Sequence, residues 1–459
     1  MSKDIHLVWF RNDLRVGDNP ALFYAAEQGV VIGIYLEPVE QRVAHNDAPC
    51  KVGFINDTVK ELRKQLNKLN IPLHSFQVTD YQQSVEKIEQ LVEEVNADGV
   101  YFNNEYPLNE KKRDDQLEQQ LQAKGLKVKR FDGDVIIPPN SVSTGKGEPY
   151  KVFTPYKKAW IEFHKTQGMS SLPAPDKQNY KIEQQYDCDF GHDYRKDLWP
   201  AGEKAARDTL NEFLPKAGYY KERRDIPSVK GTSMLSPYLA VGAISARKCI
   251  EALLEWHEGD QEAFYQDTWL SEIIWREFYR QIIIDNPQIS HHQPFKSDAK
   301  EVWNGQHELF AKWCKGETGF PLIDAAMRQL LQTGWMHNRL RMNVAMFLNK
   351  LCLIDWREGE AFFMRQLIDG DFASNNGGWQ WCSSTGADGA PYFRIMSPIT
   401  QSQRFDPEGK FIRKLVPELA GLSDKDIHFP TSQQRKDLGY PDPIINYKEA
   451  RKAALELLS

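Results

Sequence analysis

Hydrophobic periodicity changes once along this 459-residue chain, and that change constrains the fold more than any other feature. Short runs rich in β-branched and aromatic residues recur at 6–10, 30–36, 73–78, 99–102 and 128–131. Between them lie stretches with the 3.6-residue period of a helix. In one, Phe54, Ile55, Val59, Leu62, Leu66 and Leu69 share a stripe; in another, Val85, Ile88, Leu91, Val92 and Val95 do. Alternating strand and helix predicts a Rossmann-like parallel-sheet α/β domain over residues 1–131, with helices on both faces. Ligands on such sheets sit at the carboxyl ends of the strands, where Arg11, Asn12, Asp13, Leu14 and Arg15 follow the first run. No GxGxxG or P-loop motif follows any strand, which argues against a dinucleotide or P-loop site in this half.

Residues 132–200 are rich in Gly, Pro, Ser and Gln, and read as a long interdomain linker running over the surface, with one helix at 150–164. From residue 201 to 459 the strand signal disappears. Helical periodicity recurs at 203–213, 245–256, 264–285, 321–331, 338–353 and 360–368, which predicts a second, all-helical domain. Nine of the 12 tryptophans fall between Trp256 and Trp381, inside it.

Composition narrows the function classes. With 58 basic and 64 acidic residues the net charge is −6, which argues against a basic coat for sequence-blind nucleic-acid binding. No stretch approaches the roughly 18 apolar residues of a membrane span. The charged pair Lys3 and Asp4 precedes an apolar run too short for a secretory signal. Six scattered cysteines, with no CxxC and no His at zinc spacing, read as reduced structural thiols. The expectation is a cytoplasmic, bacterial-type protein without targeting signal or metal.

Four constellations in the helical half can carry chemistry. Thr232, Ser233 and Ser236 precede Pro237, a hydroxyl-rich helix start that suits a phosphate or serves as an ordinary cap. Glu272, Trp275, Arg276 and Tyr279 stand at i, i+3, i+4 and i+7, placing an acid, a base and two aromatics on one helix face. An ion pair over packed aromatics is the alternative. Trp335, Asn338, Arg339, Arg341 and Met342 lie in a stretch, 325–345, holding three Arg and no acid, a local basic patch suited to phosphates and bases. Finally, Asp369, Gly370 and Asp371 precede Asn375, Asn376, Gly377 and Gly378, which read as a tight turn admitting close backbone approach. The two carboxylates suit acid–base work or a metal, yet no His or further acid completes a site.

Along nearly its full length the chain resembles the class I cyclobutane pyrimidine dimer photolyases of the cryptochrome/photolyase family. The resemblance rests on Trp9–Arg15 with Asp18 and Asn19, on 150–156 (YKVFTPY), 231–233 (GTS), 275–279 (WREFY) and 333–342, and on 369–386. It implies FAD folded inside the helical domain. Tyr220 and the turn Thr232, Ser233, Met234, Leu235 and Ser236 would contact its phosphates and ribityl chain, with Trp269 nearby. Arg341 and Asp369 would pair against the flavin ring, next to Gly370, and Asp371 would accept from the ring's polar edge. Asn375 would sit at the ring nitrogen that changes protonation, where plant cryptochromes usually carry Asp.

The resemblance further implies light-driven repair of UV-damaged DNA by a lyase, the dimer being flipped out of the duplex. Glu272, Trp275, Asn338, Met342 and Trp381 would line its pocket. Arg224, Arg276, Tyr279, Arg339, Arg394 and Gln401 would belong to the DNA-binding surface. Trp379, Trp356 and Trp303 would pass electrons, with Trp303 at the solvent end. Asn109, Glu110 and His291 would hold an antenna, methenyltetrahydrofolate, with a deazaflavin left open. Ser290 and His291 depart from the Cys and Lys often found there, Met234 stands where a relative has Arg, and Cys382 replaces a small residue. A monomer is expected. The alternative is a blue-light cryptochrome photoreceptor with the same flavin and no repair activity.

Overall fold

The computed structural model describes residues 4–168, 170–180, 185–387 and 394–458. Five strands form one parallel sheet: β1 Ile5–Phe10, β2 Val30–Pro38, β3 Leu73–Val78, β4 Gly99–Asn103 and β5 Lys127–Phe131, in the order β3-β2-β1-β4-β5. The twofold alternation of a strand divides β1 between two cores. Val8 and Phe10 pack with Leu22 and Phe54 from helices Pro20–Gln28 and Pro49–Lys68. Leu7 and Trp9 pack on the opposite face with Ile88 and Leu117 from helices Tyr81–Val95 and Leu108–Ala123. Strand order reverses between β1 and β4, so the crevice at their carboxyl ends is the sheet's topological switch point.

The core containing Val8 and Phe10 does not stop at the domain boundary. It continues through Leu210, Ile250, Leu270, Ile274 and Phe278 of the helical half. A second core, around Trp313, Leu340, Trp356 and Trp379, belongs to the helical half.

The linker departs from the surface path its composition implies. Val135, Ile136 and Ile137 are buried, as are Tyr156 and Trp160 of its helix, Phe153–Gln167. The buried Glu277 carboxylate explains the anchorage: it accepts from the Ile136 and Ile137 backbone N–H groups and from the Trp160 indole. Phe190 stacks on Tyr35 of β2 at 5.5 Å. A few apolar residues decide the path, and the polar ones around them hide that from a composition count.

Helix boundaries also sharpen. The stretch 264–285 divides into Gln261–Gln266 and Thr268–Asp285, because the Asp267 carboxylate accepts from the Trp269 N–H and caps the second helix. The stretch 338–353 is α-helical over Asn338–Met346 and then π-helical over Phe347–Leu351. The last, 360–368, lies earlier, as Trp356–Met364, capped by Asp355. Among the described residues no helix is long and apolar enough to cross a membrane, and all six cysteines are unpaired.

Candidate functional site

A cavity of about 530 Å³ opens in the helical half. Its walls come from the turn 232–236, from helix Thr268–Asp285, from the start of helix Asn338–Met346 and from helix Phe372–Ser383. The turn is shaped for an anion. Met234 has φ +56°, in the left-handed region, while Leu235 beside it is right-handed at φ −90°, ψ −9°. Such a mixed-handed pair turns successive N–H groups to one side. Thr232 and Ser233 add hydroxyls, and the Ser236 hydroxyl accepts from the Trp335 indole at 3.2 Å.

Helix Thr268–Asp285 presents Glu272, Trp275, Arg276 and Tyr279 to the cavity, as their spacing requires. Phe153 stacks on Trp275 at 3.7 Å, 8° from parallel, and holds the indole from behind. Glu272 pairs with Arg224. Burial raises the Glu272 carboxyl above the usual range, and the opposing pull of Arg224 does not cancel it. Arg276 serves another purpose than the one expected of it. Its guanidinium is bound to the Asp134 carboxylate and carbonyl, and it is a strut between linker and helix rather than a cation offered outward.

Helix Phe372–Ser383 corrects the reading of residues 375–378 as a turn: they lie inside a helix. Asp371 caps it, accepting from the Ser374 N–H at 2.9 Å. The asparagines are satisfied within the packing. Asn375 Nδ2 donates to the Glu360 carbonyl at 3.0 Å, and Gln380 donates to the Asn376 side chain at 2.9 Å. The glycines serve helix–helix approach. A methyl group on Gly377 would stand 2.2 Å from the Tyr279 ring, whereas one on Gly378, which borders the cavity, would meet nothing within 4 Å.

Arg341 and Asp369 both line the cavity and form a paired bridge at 3.0 and 2.7 Å. Asn338, Met342, Asn375, Trp379, Trp381 and Cys382 complete the wall, with Tyr220 at the turn. Gly370 and Asp371 do not line it. Asp371 borders a separate crevice with Arg11 and Asn103, at the sheet's switch point, and is paired with Arg280 at 3.1 Å. Burial would raise its carboxyl, but the Arg280 charge and the Ser374 bonds outweigh that and hold it low. Trp269 lies behind the wall, 4.8 Å from Phe213.

Arg339, Arg394 and Gln401 lie outside the cavity lining. Arg339 pairs with Asp225 at 2.7 Å and stacks over Phe405, and Arg394 sits over the Trp381 ring at 5.5 Å. Gln401 lies on helix Pro398–Phe405. Trp356 is fully buried and Trp303 half-buried, and both indoles point at Glu301. Beside the switch-point crevice, which Glu110 borders, Asn109 and Glu110 meet across His45, at 3.1 and 3.4 Å, and Tyr81 donates to Glu110. Among the described residues no hydrogen bond or ion pair joins His291 to that group.

Sequence reasoning missed Asp134, Phe153, Asp225 and Glu301. Each sits in a loop or at a linker position with no periodicity and meets a partner far along the chain, Glu301 meeting Trp356 and Arg357 besides nearby Trp303.

Two family models match the chain: one described as DNA photolyase over residues 6–176, and one described as the FAD binding domain of DNA photolyase over residues 269–459. A deoxyribodipyrimidine photo-lyase of Vibrio cholerae is 42% identical, over 99% of this chain and 99% of that protein. Among solved structures, a class III photolyase from Agrobacterium tumefaciens superposes with a TM-score of 0.85 at 32% identity, covering 100% of this chain and 97% of its own. A Synechocystis cryptochrome gives a TM-score of 0.86 at 27% identity, covering 100% of both.

Proposed function

The chain belongs to the DNA photolyase family, and from that premise we propose that it repairs cyclobutane pyrimidine dimers in DNA with light, using reduced FAD. The observation that carries the reading is the cavity itself. A mixed-handed hydroxyl turn, an Arg–Asp pair and a wall of Trp, Met, Asn and Glu converge on one space.

FAD fits the donor set. The turn 232–236 supplies N–H and hydroxyl groups for a diphosphate, Arg341 and Asp369 offer donor and acceptor to a polar ring system, and Gly378 leaves a flat group room against its helix. Asn375, fixed by its bond to the Glu360 carbonyl, turns an uncharged amide toward that ring. Bound and reduced, FAD supplies the photochemistry, an electron sent to the dimer and returned once the ring is split.

The remaining roles belong to the protein. Trp275, braced by Phe153, and Trp381 pack against the extruded bases. Glu272, its carboxyl raised by burial and paired with Arg224, hydrogen-bonds the polar edge of the damaged bases. Asn338 binds the second polar edge and Met342 closes the apolar side. Arg224, Arg339, Arg394 and Gln401 take the flanking backbone, so binding weakens with salt. Damaged bases pair and stack poorly, and extruding them costs less than extruding intact ones. Trp379, Trp356 and Trp303 form a relay by which oxidised flavin is recharged.

The group Asn109, Glu110 and His45 supports a folate antenna, methenyltetrahydrofolate, held beside the switch-point crevice; reconstitution with folate or a deazaflavin, read by absorption, separates the two. The protein acts as a cytoplasmic monomer, and its unpaired cysteines suit a reducing compartment. The test irradiates reduced, FAD-loaded protein with thymine-dimer DNA under blue light. Dimers are expected to disappear. Their persistence with FAD bound would refute repair and leave the photoreceptor reading.

A further inference from the structure

Glu301 stands outside every role assigned above, yet its carboxylate meets two tryptophans of the relay. Trp303 Nε1 and Trp356 Nε1 both donate to Glu301 Oε1, each at 3.4 Å. The same carboxylate is gripped by Arg357, at 2.8 and 3.2 Å. Arg357 is itself fixed by Asp355 and by the His292 carbonyl. The two indoles differ in setting: Trp356 is fully buried, whereas Trp303 and Glu301 reach solvent.

These contacts set opposing fields on Trp356. The Arg357 guanidinium lies 4.7 Å from the centre of its ring and opposes positive charge there. Glu301, at the N–H, favours it. Burial works to raise the Glu301 carboxyl, but the Arg357 hydrogen bond and charge, with both indole N–H groups, outweigh it and hold the group low. Glu301 is therefore a carboxylate at neutral pH, a base already hydrogen-bonded to two indoles.

We propose that Glu301 is the proton acceptor at the outer end of the tryptophan relay. The proposal rests on the relay reading given above. If bound, oxidised FAD excited by light were to take one electron from Trp379, the hole would pass to Trp356 and then to Trp303. Loss of an electron makes the indole N–H strongly acidic. The N–H bond breaks, the proton bonds to Glu301 Oε1, and a neutral indolyl radical and a carboxylic acid result. The positive charge has left the ring, so return of the electron is no longer favoured by it. An external thiol closes the cycle: it gives one electron, becoming a thiyl radical after losing its own proton to water, and Glu301 returns the indole proton. Glu301 is a positioning and proton-accepting residue for recharging and is not required for repair by flavin already reduced.

The test is flash photolysis of FAD-loaded, oxidised full-length protein, with transient absorption separating tryptophan radical cations from neutral radicals. In the native protein the neutral radical is expected to form at a rate independent of buffer concentration. Glu301→Gln keeps a hydrogen-bond acceptor but cannot take the proton. Cation decay there should slow by about tenfold or more and become proportional to buffer base. Glu301→Asp, which retracts the base by one methylene, should fall between the two. Equal, buffer-independent decay in the native protein and both variants overturns the role of Glu301 while leaving the relay intact. Absence of any tryptophan radical in the native protein, or its survival unchanged in Trp303→Phe, overturns the relay and the proposal with it.

Discussion

Gly377 lies so close to Tyr279 that a methyl group in place of its hydrogen would stand 2.2 Å from the ring. This contact joins the helix bearing Glu272 and Trp275 to the helix bearing Asn375, Trp379 and Trp381, and it sets the width of the cavity between them. Gly377→Ala must move one helix, at a cost of about 1–3 kcal/mol, against a gain of about 1 kcal/mol in helix propensity. Net destabilisation and loss of flavin are expected, read by denaturant unfolding and by bound FAD. Gly378→Ala is the contrast. It meets no protein atom within 4 Å, so the fold should be kept or slightly stabilised while FAD binds more weakly.

Glu272 should discriminate between binding the lesion and holding the cofactor. Glu272→Ala removes the group facing the damaged bases and leaves Arg224 without its partner. A loss of about 1–3 kcal/mol, or roughly fivefold to 150-fold in affinity for dimer DNA, is expected with FAD retained. Glu272→Gln keeps a hydrogen-bonding side chain at the same place and should lose less. Titration of each variant with dimer DNA checks the order, and FAD loss in both would reassign the residue to the cofactor.

Asp225 neutralises Arg339 in the free protein. A phosphate must displace that carboxylate, which penalises binding to any DNA, damaged or not. Asp225→Asn should therefore raise affinity for undamaged and for dimer DNA by a similar factor, leaving the ratio between them unchanged. The slope of log affinity against log salt should steepen by about one unit. Unchanged affinity and salt slope would show that no phosphate displaces Asp225 from Arg339.

Glu360 gives the fold a pH dependence. Burial pushes its carboxyl up to about 7, against the hydrogen bond from Asn376 and the Arg357 charge. In the unfolded chain it ionises near 4.5. Between those values the folded protein holds a proton that the unfolded chain releases. Rising pH then favours unfolding, by up to about 3 kcal/mol, and above pH 7 the effect is complete. Glu360→Gln should flatten this part of the profile and be the more stable protein at pH 8. Urea unfolding at pH 5 and pH 8 measures it, and parallel profiles for both proteins would contradict the assignment.

Much of the site was legible because its chemistry follows local spacing. The i, i+3, i+4, i+7 face of Glu272, Trp275, Arg276 and Tyr279 turns as one to the cavity, and the hydroxyls before Pro237 sit in the turn their residue types suggest, although Met234 takes a left-handed φ that its type does not favour. The misreading at 375–378 has the opposite cause. Asn-Asn-Gly-Gly is locally a turn, but the Tyr279 ring and the Glu360 carbonyl are reached only when remote helices pack, and those contacts outweigh propensity. The Arg276 strut is not legible in the sequence, because Asp134 lies 142 positions away.

The sequence by itself determined the two-domain plan, the parallel sheet and the identity of the chemical groups, since periodicity and residue type act over a few residues. Only the tertiary structure decided which charges remain available and which are already paired. Arg276 goes to Asp134, Arg339 to Asp225, and Glu301 to two indoles, because Coulomb and hydrogen-bond energies depend on distances that chain separation does not encode.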